Sequence, residues 1–242
     1  MRVFFRLFVI ALAAALPTGA WADSPKVGVD AAIVLAADVS RSIDDGEFAL
    51  ERSGYAEAVQ SPKLIDAISA GPQGAVALAY VEWAGADEQK LVVAWTVIHG
   101  ADDARTFAAA LSAAPRSFVG RTAIGSAIDF AFAQFASTAV ATERLIIDVS
   151  GDGTSNQGRL VTAARDAAVG AGATINGLTI FNRRAAAMGG YLALHTNPPG
   201  GLAQYYRDNV IGGKAAFVVP IDDFASFGDA LVRKLVNEIA GR

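Results

Sequence analysis

A continuous apolar run at residues 31–37 ends in the polar pattern Asp38-Val39-Ser40-Arg41-Ser42. An unbroken apolar run of this length is typical of a β-strand buried on both faces, as in parallel sheets that are covered by helices on each side. Since side chains at i, i+2 and i+4 of an extended segment point the same way, one carboxylate and two hydroxyls converge after this strand. The pattern therefore predicts a buried sheet with an oxygen-rich site at its edge.

Strands and helices alternate along the rest of the chain. Further strands are predicted at 75–83, 91–98, 144–149, 174–179 and 215–219, and helices at 44–59, 61–70, 102–113, 123–135, 160–171 and 224–239. The polar turn at 86–89 predicts a hairpin between the second and third strands, and 182–214 is predicted to be a long connection. Such alternation without a linker or repeat predicts one α/β domain with a mostly parallel sheet, spanning residues 23–242.

The first 22 residues have the features of an export signal. Arg2 and Arg6 precede an apolar segment at 8–16, and Ala20-Trp21-Ala22 has the form of a cleavage site. A membrane anchor is the alternative, but the apolar segment is shorter than the roughly 20 residues that a spanning helix needs. We expect a mature chain that begins at Asp23, is periplasmic or secreted from a bacterium, and has no transmembrane segment.

Composition excludes several classes of site. The chain has no cysteine, which excludes disulfides, thiolate nucleophiles and cysteine-bound metals. His99 and His195 are the only histidines, too few for a three-histidine zinc centre, and both are interpreted as surface or hydrogen-bonded residues. The formal charge of −4 is spread along the chain, which argues against a nucleic-acid partner.

Two later residues complete the predicted site. In open α/β sheets, ligands bind beyond the carboxyl ends of the strands, where the winding direction reverses. Asp152 follows the fourth predicted strand, and Thr122 opens a predicted helix after Gly120. If the first and fourth strands are neighbours, Asp152 and Thr122 meet the Asp38 loop. Carboxylate and hydroxyl oxygens are ligands suited to a small hard cation.

These segments resemble the von Willebrand factor A (vWA) domain family, whose metal-ion-dependent adhesion site (MIDAS) joins a D-x-S-x-S loop, a threonine and an aspartate. The matches are the 38–42 loop, Gly120-Arg121-Thr122, and Asp152-Gly153, and the resemblance covers roughly residues 30–240. The segment 148–153 also looks like that of a bacterial exported subfamily of unknown function. The resemblance implies a Rossmann-like three-layer α/β fold whose doubly wound, mostly parallel six-stranded sheet has one antiparallel edge strand.

The resemblance also implies a role for each site residue. Ser40 and Ser42 would coordinate Mg²⁺ directly, Thr122 directly or through water, and Asp38 and Asp152 mainly through ordered waters. Mn²⁺ and Ca²⁺ are the alternative ions.

Two departures from the family pattern leave alternatives open. Arg41 stands where many members have glycine, and it either alters the choice of ligand or points to solvent. Asp148 replaces a strand residue that is usually uncharged. It is interpreted either as an acceptor that orients the site hydroxyls or as the partner of an arginine such as Arg144 or Arg165.

A site with two carboxylates and three neutral hydroxyls leaves a divalent ion electrophilic and with an open position. We therefore expect a binding module in which an Asp or Glu of a protein partner completes the coordination sphere, and no catalytic residues. The alternative is a metal-assisted hydrolase of phosphate or carboxylic esters. The sequence shows no evident general base or nucleophile for it apart from Asp148, and no Gly-rich phosphate loop. A secondary expectation, carried by the resemblance, is that the last helix slides by a turn when the site fills.

Overall fold

The computed structural model describes residues 26–241. The expected signal peptide at 1–22 and its cleavage point lie outside the described residues. The strands are β1 Val27–Gly28, β2 Ala31–Asp38, β3 Val76–Trp83, β4 Gln89–Ile98, β5 Val140–Ala141, β6 Leu145–Gly151, β7 Ala173–Ile180 and β8 Val218–Ile221. The helices are α1 Asp45–Val59, α2 Pro62–Ser69, α3 Ala101–Ala113, α4 Ile124–Gln134, α5 Val161–Gly170, α6 Arg183–Ala187, α7 Gly190–Thr196, α8 Leu202–Asn209 and α9 Phe227–Ala240.

Six of the strands form the central sheet in the order β4-β3-β2-β6-β7-β8. All neighbouring pairs are parallel except β3 and β4, which form the antiparallel hairpin at one edge. The predicted fold class, a doubly wound and mostly parallel sheet with one antiparallel edge strand, is therefore confirmed. Because β2 lies between β3 and β6, the chain winds in opposite directions from it, and a crevice opens at its carboxyl end.

The sheet is covered on both faces, which explains the continuous apolar run in β2. Alternate residues of this strand point to opposite faces, so Ile33 and Leu35 enter one core and Val34 and Ala36 enter the other. The first core is closed by α1, α2, α3 and α9, and the second by α4, α5 and α8. Every residue of β2 is buried, as a central parallel strand requires.

Helix α1 begins directly after the polar loop that follows β2. Asp44 is its N-cap and accepts a hydrogen bond from Glu47 N at 2.9 Å, while the Glu47 side chain accepts one from Asp44 N at 2.8 Å. This capping box satisfies donors that the first helical turn leaves free. It also fixes the point at which the 38–44 loop turns into the helix.

The region between β7 and β8 differs from the prediction. Residues 182–214 were expected to be a long connection, but they contain α6, α7 and α8. The following strand begins at Val218 rather than at 215. These three helices are only five to eight residues long, and they are separated by glycine pairs with positive φ at 189–190 and 200–201. Short helices of this kind give a weak periodic signal, because they make only one or two turns.

Tyr206 on α8 is fully buried in the second core, whereas Tyr205 remains partly exposed and accepts a hydrogen bond from Ser155 N. Tyr206 therefore contributes to core packing. No helix within residues 26–241 combines the length and the apolar character that crossing a bilayer requires.

Candidate metal centre

The carboxyl ends of β2 and β6 lie side by side. The two strands pair in parallel register from Ala32 with Leu145 to Ala37 with Ser150. Asp38 ends β2, and Asp152 directly follows β6, so both acids project into the crevice where the winding reverses.

All five residues predicted for the site are brought together and are buried. Asp38 Oδ1 accepts a hydrogen bond from Ser40 N at 2.7 Å, and Ser42 Oγ donates to Asp152 Oδ1 at 2.6 Å. Ser40 Oγ lies 3.2 Å from Ser42 Oγ and accepts a hydrogen bond from Thr122 Oγ1 at 3.2 Å. Three segments that are far apart in the chain thus place their oxygens around one point.

Thr122 does not cap helix α4. The helix begins at Ile124, and Ala123 is its N-cap. The backbone of Thr122 is tied to the loop after β6, because Thr122 N donates to Asn156 Oδ1 at 3.0 Å and Thr122 O accepts from Asn156 N at 2.8 Å. Its hydroxyl is therefore held toward Ser40.

The electrostatics of the two acids favour a cation. Burial raises the pKa of Asp38 well above its usual value, and repulsion by Asp152 raises that pKa further. Burial also raises the pKa of Asp152, to about 6, although hydrogen bonds from Ser42 and Asn182 oppose the change. Arg116 lowers the pKa of Asp38 and Arg184 lowers that of Asp152, but burial outweighs both effects, so a cation bound here would stabilise the ionised acids.

The donor set fits a small divalent ion. Among residues 26–241, Asp38 Oδ2 is buried and has no hydrogen-bond partner. The two 3.2 Å separations between the hydroxyls are close to the roughly 3.0 Å between adjacent oxygens of an octahedron with metal–oxygen bonds of about 2.1 Å. The same part of the chain contains no group of three or more histidine, aspartate or glutamate side chains placed to hold a metal. A metal at this site would therefore depend on hydroxyl oxygens as much as on carboxylates.

Arg116 holds the 38–43 loop, and sequence reasoning did not identify it. Its Nη2 donates to the main-chain carbonyls of Val39 at 2.9 Å, Ser40 at 3.1 Å and Ile43 at 2.9 Å. The guanidinium also lies over the ring of Phe48 at 5.2 Å. One partly buried cation thus organises the backbone that presents Ser40 and Ser42. No local pattern around residue 116 indicates this contact.

Asn182, at the end of β7, links the site to α6. Its Nδ2 donates to Asp152 Oδ2 at 2.7 Å and to Ser42 O at 3.0 Å, and its Oδ1 accepts from Ala185 N at 2.8 Å. The side chain therefore caps a helix and orients a candidate ligand at once. Its position after a buried strand, like those of Asp38 and Asp152, was the available signal.

His195 on α7 lies against the site rather than on the surface. Its Nε2 is 3.2 Å from Thr122 Oγ1, and its Nδ1 is 3.2 Å from Thr154 Oγ1. The main chain is joined as well, because Thr154 N donates to His195 O at 3.0 Å. Burial lowers the pKa of His195, which favours a neutral imidazole. Of the two expectations for this histidine, the hydrogen-bonded one is therefore correct.

Two glycines around Asp152 permit this close packing. A Cβ on Gly151 would lie 2.6 Å from Tyr206 Oη and 3.2 Å from Asp38 Oδ2, and one on Gly153 would lie 2.4 Å from His195 Nε2. The distances of 2.6 Å and 2.4 Å are shorter than a methyl group allows. The glycines therefore let α7 and α8 approach the acid.

Above the site is a cleft of about 390 Å³. Its walls combine site residues, three arginines and apolar side chains of α6 and α7, with Met188 and Tyr191 largely exposed. The lining residues are Arg41, Ser42, Gly120, Arg121, Thr122, Asn156, Arg184, Met188, Tyr191, Leu192 and His195.

Asp148 takes part in a different cluster. Its Oδ1 lies 2.6 Å from Lys234 Nζ, and both side chains are fully buried. Lys234 also pairs with Glu238, which accepts a hydrogen bond from Asn176 Nδ2 at 2.7 Å. The expectation that Asp148 pairs with Arg144 or Arg165, or orients the site hydroxyls, is therefore wrong. A lysine on the last helix provides the charge instead.

Several solved structures share this fold, and one of them is a von Willebrand factor type A protein. Proximal thread matrix protein 1 of the mussel byssus, with a zinc-occupied MIDAS motif, has a TM-score of 0.60 and 15% identity over 90% of this chain and 50% of its own. The von Willebrand factor type A protein of Catenulispora acidiphila has a TM-score of 0.57 and 16% identity, with coverages of 87% and 43%. The pilus adhesin SpaC of Lactobacillus rhamnosus GG has a TM-score of 0.59 and 12% identity, with coverages of 86% and 30%.

At these identities the similarity establishes the fold alone. The chain spans about half the length of the mussel protein and less of the other two. No curated protein sequence matches it. A family model does match, over residues 28–242, and its description is "Protein of unknown function (DUF1194)". The chain, whose described part has the fold of these structures, therefore belongs to the DUF1194 family.

Proposed function

We propose that this chain is a binding module in which a divalent metal ion, held by Asp38, Ser40, Ser42, Thr122 and Asp152, engages an acidic group of a protein partner. The observation that carries the proposal is the meeting of these five side chains in the crevice, where Asp38 Oδ2 is buried without a hydrogen-bond partner in the described chain and where burial raises the pKa of both acids. The zinc-occupied MIDAS of the mussel protein, a neighbour in fold, supports a divalent ion. Mg²⁺ is the proposed ion, because the donors are all oxygens.

The partner's acid is inferred from the charge of the site. Two carboxylates balance the charge of one divalent ion, and the three hydroxyls add none. The ion therefore carries no excess of negative ligands and keeps an open coordination position. A carboxylate from another molecule can fill that position. The adhesin SpaC, which shares the fold, supports a role in binding for this architecture.

We propose binding rather than ester hydrolysis because of the state of His195. It is the one imidazole that lines the cleft within the described residues, and both of its nitrogens lie within hydrogen-bonding distance of threonine hydroxyls. Asp148, the acid that would have supported a hydrolase, is paired with Lys234 in a separate buried cluster. Phosphatase and esterase substrates supplied with Mg²⁺ or Mn²⁺ test this choice, and sustained turnover that is lost in Asp38→Asn would contradict it.

Metal binding is tested first, by calorimetric titration of chelator-treated protein with Mg²⁺, Mn²⁺, Ca²⁺ and Zn²⁺. We expect one ion per chain, and an affinity at least about 10-fold lower in Asp38→Asn, which keeps the shape of the side chain but removes its charge. Asp102→Asn is the matched control, because Asp102 is 90% exposed on α3. Equal metal affinity in both variants and the wild type would contradict the proposed site.

Partner binding is then tested by capture from the native cell envelope with and without EDTA. A genuine partner is retained by the wild type with Mg²⁺ and is lost both on chelation and with Ser42→Ala. Replacing the partner's Asp and Glu residues by their amides should then abolish binding at one position. A partner whose binding survives chelation would overturn the proposal.

We also propose that the chain acts outside the cytoplasm, as a periplasmic or secreted protein, with a mature domain of residues 23–242. The features of residues 1–22 support this location. Mass spectrometry of the N-terminus of protein recovered from the periplasm and medium tests it, with Asp23 as the expected first residue.

A further inference from the structure

Two of the three arginines that line the cleft have no partner within residues 26–241. Arg184 is paired there, because its Nε lies 2.9 Å from Asp44 Oδ2 and its Nη2 lies 3.0 Å from Glu47 Oε2. The guanidinium groups of Arg41 and Arg121 make no ion pair and no hydrogen bond in the same part of the chain. Both side chains are exposed at the cleft.

The backbone brings these two arginines close together. Arg41 lies between Ser40 and Ser42, and Arg121 directly precedes Thr122. Arg41 N donates a hydrogen bond to Gly120 O at 3.0 Å, which ties the two loops together beside the candidate ligands. The main chain therefore fixes the backbone of both arginines beside the candidate ligands, and both side chains line the cleft.

The charge of the cleft exceeds what one carboxylate balances. Asp38 and Asp152, once ionised, offset a divalent ion, so Arg41 and Arg121 add two positive charges to the cleft lining. Glu88 lies against Gly120, but its carboxylate accepts a hydrogen bond from Gly85 N at 2.8 Å, and it does not line the cleft. Arginine is also the side chain whose geometry matches a carboxylate with two parallel hydrogen bonds.

Part of the cleft lining is apolar. Met188, Tyr191 and Leu192 form this part, and Met188 and Tyr191 are 66% and 64% exposed. The cleft volume of about 390 Å³ lies within the range of sites for small ligands or single side-chain pairs. Such a space accommodates a short aliphatic segment between two charged ends.

We propose that the ligand of this cleft carries two carboxylates joined by a short aliphatic spacer, one binding the metal and the other binding Arg41 and Arg121. This inference rests on the proposed function, because the first carboxylate needs the metal. The same chemistry is present in a free dicarboxylate and in two neighbouring acidic side chains of a partner protein.

The test compares pentanoate with glutarate, which have the same chain length and differ by one carboxylate. Calorimetric titration of the Mg²⁺-loaded protein should show glutarate binding at least about 10-fold more tightly, as expected for an added charged hydrogen-bonded pair. The double variant Arg41→Gln/Arg121→Gln should reduce this advantage of glutarate over pentanoate below about 3-fold. Arg105→Gln, on the exposed face of α3, is the control.

Each outcome has a distinct meaning. Equal binding of both acids, still lost on chelation, would overturn the two-carboxylate ligand and leave the metal-dependent module intact. Chelator-insensitive binding of both would contradict the proposed function itself. A third titration, with the peptide acetyl-Asp-Glu-amide, distinguishes the two sources of the carboxylates. Tighter binding of the peptide than of glutarate supports an acidic pair on a partner protein. Weaker binding supports a free dicarboxylate.

Discussion

Lys234 Nζ lies 2.6 Å from Asp148 Oδ1, and neither side chain is accessible to solvent. This ion pair joins the middle of α9 to the central strand β6. Glu238, one turn later on α9, shares the lysine. The cluster thus holds one cation between two carboxylates inside the first core.

Removing the lysine should be strongly destabilising, because it leaves two buried acids without a cation. We expect Lys234→Met to lower the free energy of unfolding by about 3–5 kcal/mol, measured by urea denaturation. The triple variant Lys234→Met/Asp148→Asn/Glu238→Gln removes all the charges together and should recover much of the loss. A loss below about 1 kcal/mol in the single variant would show that the pair is not formed.

The same cluster predicts a pH dependence of stability. Burial raises the pKa of Glu238 to about 7, although Lys234 opposes the change and Asp148 adds to it. Arg144 also faces this end of α9, where it donates to the carbonyl oxygens of Glu238 and Ile239. Since the folded state keeps the Glu238 proton to higher pH than the unfolded state, whose pKa is near 4.5, this residue makes the folded protein lose stability as pH rises from about 4.5 to about 7.

The measurement compares Glu238→Gln with the wild type in urea at pH 5 and at pH 8. Between pH 5 and pH 8, the free energy of unfolding of the wild type should fall by on the order of 3 kcal/mol more than that of the variant, since each pKa unit corresponds to about 1.4 kcal/mol. Parallel pH profiles for the two proteins would contradict the shifted pKa of Glu238.

The buried pair also bears on the expectation that α9 slides when the site fills. A slide by one helical turn, about 5.4 Å, would separate Lys234 from Asp148 and leave both charges buried. We therefore expect hydrogen exchange of α9 to be the same in metal-free and Mg²⁺-saturated protein, while the 38–44 loop becomes more protected. A change in α9 protection on metal addition would show that the helix does move.

Arg116 should control metal affinity without touching the metal. Arg116→Met removes the donor shared by the carbonyls of Val39, Ser40 and Ile43, so the loop loses its fixed shape. We expect Mg²⁺ affinity to fall about 10- to 100-fold in calorimetry, the range typical of residues that orient metal ligands. Arg105→Met is the control, and circular dichroism should show that both variants are folded. Unchanged affinity would mean that the capping box alone organises the loop.

Gly151 and Tyr206 should form a compensating pair. Gly151→Ala places a methyl group 2.6 Å from Tyr206 Oη and should cost about 1–3 kcal/mol of stability. Tyr206 Oη is buried without a hydrogen-bond partner in the described chain, so Tyr206→Phe should be nearly neutral. The double variant should be more stable than Gly151→Ala alone, and strict additivity in a double-mutant cycle would contradict the contact.

The parts of the site that were predictable are those with a local signature. Asp38, Ser40 and Ser42 form one short pattern behind a buried strand, and Thr122 and Asp152 follow predicted elements in the order that the family resemblance implies. Arg116 and His195 lack such a signature, because each reaches partners that are dozens of residues away. Their roles depend on tertiary packing that no short window of sequence contains.

The fold shows the same division. The alternation of apolar runs and amphipathic segments predicted the central sheet and its hairpin. The two-residue strands β1 and β5 went unpredicted, because pairs such as Val27–Gly28 and Val140–Ala141 carry no periodicity. The partner of Asp148 was also missed, since Lys234 lies within the apolar stripe of α9, where a charged side chain gives no indication of which strand it faces.

The hydrogen bond from Arg41 N to Gly120 O involves only main-chain atoms. Side-chain substitution at position 41 or 121 therefore leaves this connection in place, together with the serines and the threonine beside it. Under the proposed function, ion capture and ligand discrimination are then separate properties of the protein. Substitution of Arg41 and Arg121 during evolution would therefore change which ligand binds while the residues that coordinate the ion stay the same.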